Sequence, residues 1–296
     1  MRLFVLLLIL PISFTGQLLD NRKCEVFSGE PFFYTEFIRN NNIKSIKGAV
    51  STKADLQVIK SKGLATMFLF DRSGKLIKQF DSFYRGKKKD SSIITYSYDK
   101  NKNITTKRMS DSYGFYSYNY SYNEKGDVVR KTYCRDENAT NNKNNFKLEK
   151  QYIIVNETYS YARSDSSIQK NVFNNHGSVY QKEYYTYDEN SLLVQMVKKL
   201  IVSHKKAETT YKYNDLMKIS EMKIQKDMSK DAFSRFVYEY DELGNLEVID
   251  EYRNDELKTH KEVIYNKSTL LMKALIVQDV NSNFITITKF SYAFFD

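Results

Sequence analysis

The feature that most constrains this chain is a nine-residue element that recurs eight times, with an aromatic residue at its third position, Asp or Asn at its fourth and an aliphatic residue at its ninth. The copies are FLFDRSGKL from Phe68, YSYDKNKNI from Tyr96, YSYNEKGDV from Tyr120, NVFNNHGSV from Asn171, YTYDENSLL from Tyr185, YKYNDLMKI from Tyr211, YEYDELGNL from Tyr238 and VIYNKSTLL from Val263. An aromatic, any residue, then an aromatic marks one face of a strand at period two. The carboxylate or amide that follows accepts from backbone two residues on and starts a turn. Gly74, Gly126, Gly177 and Gly244 stand where a left-handed residue suits a tight hairpin. Each copy is therefore expected to be the tip of a β-hairpin, its last residue opening the return strand. The tip residues so assigned are Phe70, Asp71 and Gly74; Tyr98 and Asp99; Tyr122, Asn123 and Gly126; Tyr187 and Asp188; Tyr213 and Asn214; Tyr240, Asp241 and Gly244; and Tyr265 and Asn266.

Spacing turns the hairpins into an array. Tyr187, Tyr213, Tyr240 and Tyr265 are 26, 27 and 25 residues apart, and Phe70, Tyr98 and Tyr122 are 28 and 24 apart. Two strands and two short turns use up such a period, so alternate turns fall on one edge of an antiparallel meander. Opposite-edge turns are expected at Ser110–Gly114, Asp227–Asp231 and Arg253–Glu256. Phe173 falls half a period out, which puts its turn on that opposite edge too, and the polar stretch Arg135–Asn145 reads as the longest loop. Ahead of the array, Ser28 to Asn42 opens on a cap-like Ser and suits one short helix covering the first strand. The expected fold is all-β: a meander of hairpin repeats forming an elongated twisted sheet, with one short N-terminal helix. Its last strand, from Asn283 to Phe295, has no turn after it and would be an open edge for lysine, twist or edge-strand self-association to manage.

Residues 1–16 have the make-up of a secretory leader: Arg2, an apolar run from Leu3 to Leu10, then Pro11 and small residues near Thr15 and Gly16. The run is shorter than the roughly 20 residues of a spanning helix. Division at residues 1–16, 17–66 (capping segment) and 67–296 (array) follows. The chain is expected to be secreted, periplasmic or on the cell surface, and not membrane-spanning once the leader is cut. The net charge of +10 is spread along the chain, apart from Gly86–Asp90, which argues against a nucleic-acid partner.

Nothing in the chain reads as an enzyme, a metal site or a cofactor site. The three histidines are isolated, and the Asp residues recur once per repeat as turn formers do. Tyr116, Tyr118 and Tyr120 continue the period-two stripe, which is expected to be buried or stacked across strands and otherwise to form a glycan- or peptide-binding face. Cys24 and Cys134 can form a disulfide in an oxidising compartment.

The element YEYDELGNL resembles the YD repeat of the RHS family, through Tyr240, Asp241, Gly244, Asn245 and Leu246, and the resemblance extends from Phe68 to the C-terminus. It implies an exported sheet of hairpins, and a role as an accessory or immunity protein of a toxin system. Long arrays of that family wind into a hollow shell that encloses a toxin; this array is too short to close such a shell, and whether its sheet stays open, curls or dimerises is left open by the resemblance.

Overall fold

The computed structural model describes residues 17–110, 114–140, 142–226 and 232–296. The expected leader, the turn at Asp227–Asp231 and the middle of the turn at Ser110–Gly114 lie outside the described residues. A short helix, α1 (Thr35–Asn40), precedes eighteen strands: β1 (Ile43–Lys53), β2 (Lys60–Phe70), β3 (Leu76–Arg85), β4 (Lys88–Tyr98), β5 (Ile104–Ser110), β6 (Phe115–Tyr122), β7 (Val128–Asn138), β8 (Leu148–Arg163) and β9 (Ser167–Phe173) in the first half. The second half holds β10 (Val179–Tyr187), β11 (Leu193–Leu200), β12 (Lys206–Tyr213), β13 (Ile219–Lys226), β14 (Phe233–Tyr240), β15 (Leu246–Arg253), β16 (Glu256–Tyr265), β17 (Met272–Asp279) and β18 (Phe284–Phe294).

Each strand pairs antiparallel with the one before and the one after it, and β1 also pairs with β18, from Ile43 opposite Phe294 to Lys53 opposite Ile285. The meander is thus a closed up-and-down barrel of eighteen strands. This overturns the elongated open sheet expected from the repeats. It also removes the open last edge, because the partner of β18 is β1 of the same chain.

The cause of closure is repeated at the tips. Leu69 faces Lys78 but Phe70 faces Leu76, so Ile77 is an extra residue on the return strand. The same slip occurs at Tyr98, Tyr122, Tyr187, Tyr213, Tyr240 and Tyr265. A bulge bends its strand and adds right-handed twist. Seven of them at one end of successive hairpins accumulate into the curvature that brings first and last strands together. The half-period motif also forms its turn, Asn174 to Ser178, on the edge away from these tips. The connection from residue 139 to 147 carries a short 3-10 turn and folds onto the outer wall, where Phe146 meets Phe115 at 4.5 Å.

Residues 17–42 form a plug. Leu19 bridges Phe33, the Asp20 amide donates to the Phe32 carbonyl at 2.8 Å, and Tyr34 N–H donates to Leu18 O at 3.0 Å. The Ser28 hydroxyl accepts from the Glu30 amide, so it opens a turn inside the plug; the helix starts later, at Thr35. Leu18, Phe32, Phe33 and Ile38 are buried among Ile46 of β1, Phe68 and Phe70 of β2, Tyr96 of β4, Val263 of β16 and Met272 of β17. Val26 and Phe27 pack on a second cluster, Ile219, Tyr238, Leu246 and Ile249. One segment therefore touches staves on both sides of a closed ring through the same sheet face, which places it in the lumen. Gly74 and Gly244 come close to it, so it fills the end that carries the motif tips.

Candidate functional site

The motif tips are consumed by the fold. Asp71 Oδ1 accepts from the amides of Ser73 (2.9 Å) and Lys75 (3.0 Å), and Asn123, Asp188 and Asn214 repeat the pattern. Asp99, Asp241 and Asn266 likewise accept from amides of their own turns. The residue three positions later is left-handed whether it is Gly74 (φ 86°), Gly126 (81°) and Gly244 (81°) or Lys102 (70°), Ser191 (61°) and Met217 (56°). The eighth tip is one residue longer: Tyr265 faces Met272, so Met272, one residue past Leu271, opens its return strand.

The third-position tyrosine has a further role. Its hydroxyl donates to the carbonyl that opens the return strand of the preceding hairpin: Tyr98 to Leu76 (2.7 Å), Tyr122 to Ile104, Tyr213 to Leu193, Tyr240 to Ile219 (each 2.8 Å) and Tyr265 to Leu246 (2.9 Å). Tyr161 and Tyr292 make the same bond to Val128 and Met272. These ties stitch neighbouring hairpins around the ring.

Residues paired directly across strands share a face. Tyr118 of β6 faces Lys107 of β5, and the Lys107 ammonium pairs with Glu30 of the plug. The stripe Tyr116, Tyr118 and Tyr120 therefore lines the lumen. Its rings are half-buried, and across the strand Tyr133 stacks on Tyr116 at 5.8 Å and lies tilted against Tyr118 at 5.1 Å. Arg135 sits over Tyr116 at 4.7 Å and Lys131 over Tyr118 at 4.6 Å.

Beyond this stripe the wall from β6 to β10 carries a recess of about 360 Å³, lined by Tyr120, Lys131, Tyr159, Tyr161, Lys170 and Tyr185 among other wall residues. Two carboxylates organise it. Glu157 accepts from the hydroxyls of Tyr159 and Tyr180, while Glu183 accepts from Tyr185 and Gln181 and pairs with Lys170 at 3.2 Å. Burial alone would raise the Glu183 carboxyl, but the Tyr185 hydroxyl, Lys170 and Lys198 hold it below the usual range. Burial pushes the phenols of Tyr120, Tyr159 and Tyr185 well up, and that of Tyr161 up to about 12. The tips predicted from sequence surround the lumen; the charged residues of the recess were missed. Their signal was the period of two, since Glu183 stands two residues before Tyr185, which opens a motif copy, and Glu157 two before Tyr159.

A second cavity, about 550 Å³, opens at the tip end between the plug and β10–β14, lined by Leu19, Tyr34, Tyr187, Tyr213, Met217 and Lys218 among others. Cys24 lies in the plug beside Tyr238, with burial pushing its thiol up to about 11. Cys134 is buried on β7, where Asn119 donates to its Sγ. The two thiols do not meet, and both are free.

The opposite face of the barrel carries a series of ion pairs and polar contacts. Lys212 and Arg235 pair with Glu221, Gln195 donates to Glu208, Arg108 pairs with Asp136, and His260 lies between Asp250 and Glu262. Among the described residues no helix is long and apolar enough to cross a membrane.

No family model matches the chain, and no curated protein matches it. Among solved structures it is similar to a porin-like protein from Bacteroides uniformis (13% identity, TM-score 0.37, covering 86% of this chain and 97% of that one) and to another from Bacteroides vulgatus (11%, 0.32, covering 85% and 98%). It is also similar to part of the TcdB2-TccC3 structure, at 12% identity and TM-score 0.28, covering 72% of this chain and 12% of that one. These scores are too low to argue kinship or function, and closure of the barrel stands on its own strand register. The likeness to the YD repeat of the RHS family is not upheld, since no family model matches and the hairpins close a barrel where an extended repeat sheet was expected.

Proposed function

We propose that this chain is an exported, non-enzymatic binding module of the cell envelope or extracellular space, a water-facing barrel that takes a saccharide against the tyrosine wall of its lumen. The observation that carries the proposal is the recess on β6–β10, lined by half-buried phenols with Lys131 and Lys170 among them, where Glu157 and Glu183 hold the hydroxyls of Tyr159 and Tyr185. Rigid amphipathic rings give contact area at little entropic cost, and fixed charges beside them orient a polar ligand.

The outer wall supports the water-facing part. A barrel that spans a bilayer turns an apolar band outward and keeps its polar residues within. Here ion pairs stand on the outer wall, while the inner face holds the aromatic clusters that seat the plug, with charged pairs such as Lys170–Glu183 beside them. The carboxylates of the tips support the non-enzymatic part, because each is occupied as a turn acceptor.

A glycan array probed with the purified protein tests the proposal. Binding to a defined saccharide, weakened at least about tenfold by Tyr120→Ala, which removes a ring lining the recess, with an unchanged melting temperature, is the expected result. A blank glycan array, or capture of peptides alone on a parallel peptide array, would overturn it.

A further inference from the structure

At the end of the barrel away from the plug, two strand connections combine bare aliphatic side chains with lysine. In the connection between β1 and β2, Leu56 is 98% exposed, Val58 75% and Ile59 59%. Exposed Lys53, Lys60 and Lys62 flank them. The neighbouring β3–β4 tip adds Arg85, Lys87, Lys88 and Lys89, all exposed. The two tips are held side by side, since the Tyr84 hydroxyl donates to Lys62 O at 3.1 Å and the Lys89 ammonium donates to Gly63 O. Against these seven cations stand Asp55 and Asp90, and Asp90 is paired with Arg85 and Lys143.

The second connection lies half a ring away, between β11 and β12. Val202 is 90% exposed there and Leu200 is exposed beside it, with Lys198 on one side and Lys205 and Lys206 on the other. Neither set of aliphatic side chains contributes to the core clusters of the barrel. Exposed apolar groups of this kind mark a contact surface.

We propose that this rim docks on an anionic lipid surface. Aliphatic tips enter the boundary between headgroups and acyl chains, and lysines beside them meet headgroup phosphates. A polynucleotide would satisfy the lysines but give Leu56, Val58 and Ile59 nothing to enter, whereas a bilayer accommodates both. With contacts on opposite sides of the ring, the barrel stands end-on and its plugged mouth faces away from the membrane. This geometry is independent of whatever ligand the lumen takes.

Vesicle co-sedimentation of the full chain tests the inference, with phosphatidylcholine vesicles compared to ones containing phosphatidylglycerol. Binding is expected only with the anionic lipid and should weaken as salt rises. The triple change Leu56→Ser, Val58→Ser, Ile59→Ser, and separately Lys87→Glu, Lys88→Glu, Lys89→Glu, should each cut partitioning roughly tenfold or more without moving the melting temperature. Lys212→Glu, on the outer wall, should leave it unchanged. Absence of binding to anionic vesicles, equal binding to neutral ones, or binding indifferent to both tip variants would overturn the inference.

Discussion

The left-handed residue of each tip shows how one backbone position answers to two different neighbours. At Gly126 a Cβ would enter open space, so Gly126→Ala carries only the conformational penalty of φ near 81°, about 1 kcal/mol. At Gly74 the same atom would lie 2.1 Å from the Thr35 carbonyl oxygen and 2.9 Å from the Arg39 amide nitrogen. Gly74→Ala must therefore also push α1 out of its seat and is expected to cost at least about 2 kcal/mol more. Denaturant melts of the two variants, with hydrogen exchange at residues 35–40, check this; equal costs and unchanged protection would contradict the close contact. Tip glycines were legible because turn chemistry is local. What Gly74 touches was not, since Thr35 and Arg39 meet it only after the chain has folded back into the barrel.

At the scale of the strand, β1 is the exception that makes the ring. Its sequence, IKSIKGAVSTK, has no aromatic pair and no tip motif, so nothing local marks it as a stave. The repeat predicted hairpins and their shared edge correctly, because aromatic alternation and Asx turns act within nine residues. It could not announce the bulges. A bulge is a mismatch between two strands, visible only in register, and Phe70 opposite Leu76 looks the same in sequence with or without Ile77 set aside. Gly48 shows how tightly β1 fits: on the lumenal face a Cβ would stand 2.4 Å from Thr288 Cγ2 and 2.7 Å from Thr66 Cγ2. Gly48→Val is expected to destabilise the protein by roughly 2–3 kcal/mol and to expose β18 selectively to exchange, with β6–β10 keeping their protection. Loss of protection spread evenly around the ring would count against a local seam.

At the scale of the molecule, barrel and plug are joined by a charge pair that neither could hold alone. Lys107 is buried on β5, and its ammonium meets Glu30. Glu30→Gln strands that ammonium and is expected to cost about 1–3 kcal/mol, whereas adding Lys107→Met should return most of it. A double-mutant cycle on thermal melts reads the coupling, and simple additivity of the two changes would deny the pair its role. Closure has a kinetic consequence as well. The ring shuts by pairing the first stave with the last, and the bond from Ser291 to Lys47 joins residues 244 apart. During synthesis the plug emerges before the staves and β18 after the other seventeen, so the nascent chain can build hairpins one by one yet cannot lock them until β18 is free to pair. Such a distant pairing is the slow kind. Until then β1 offers an unpaired flank, the interval in which this protein is most open to swapping strands with another copy of itself.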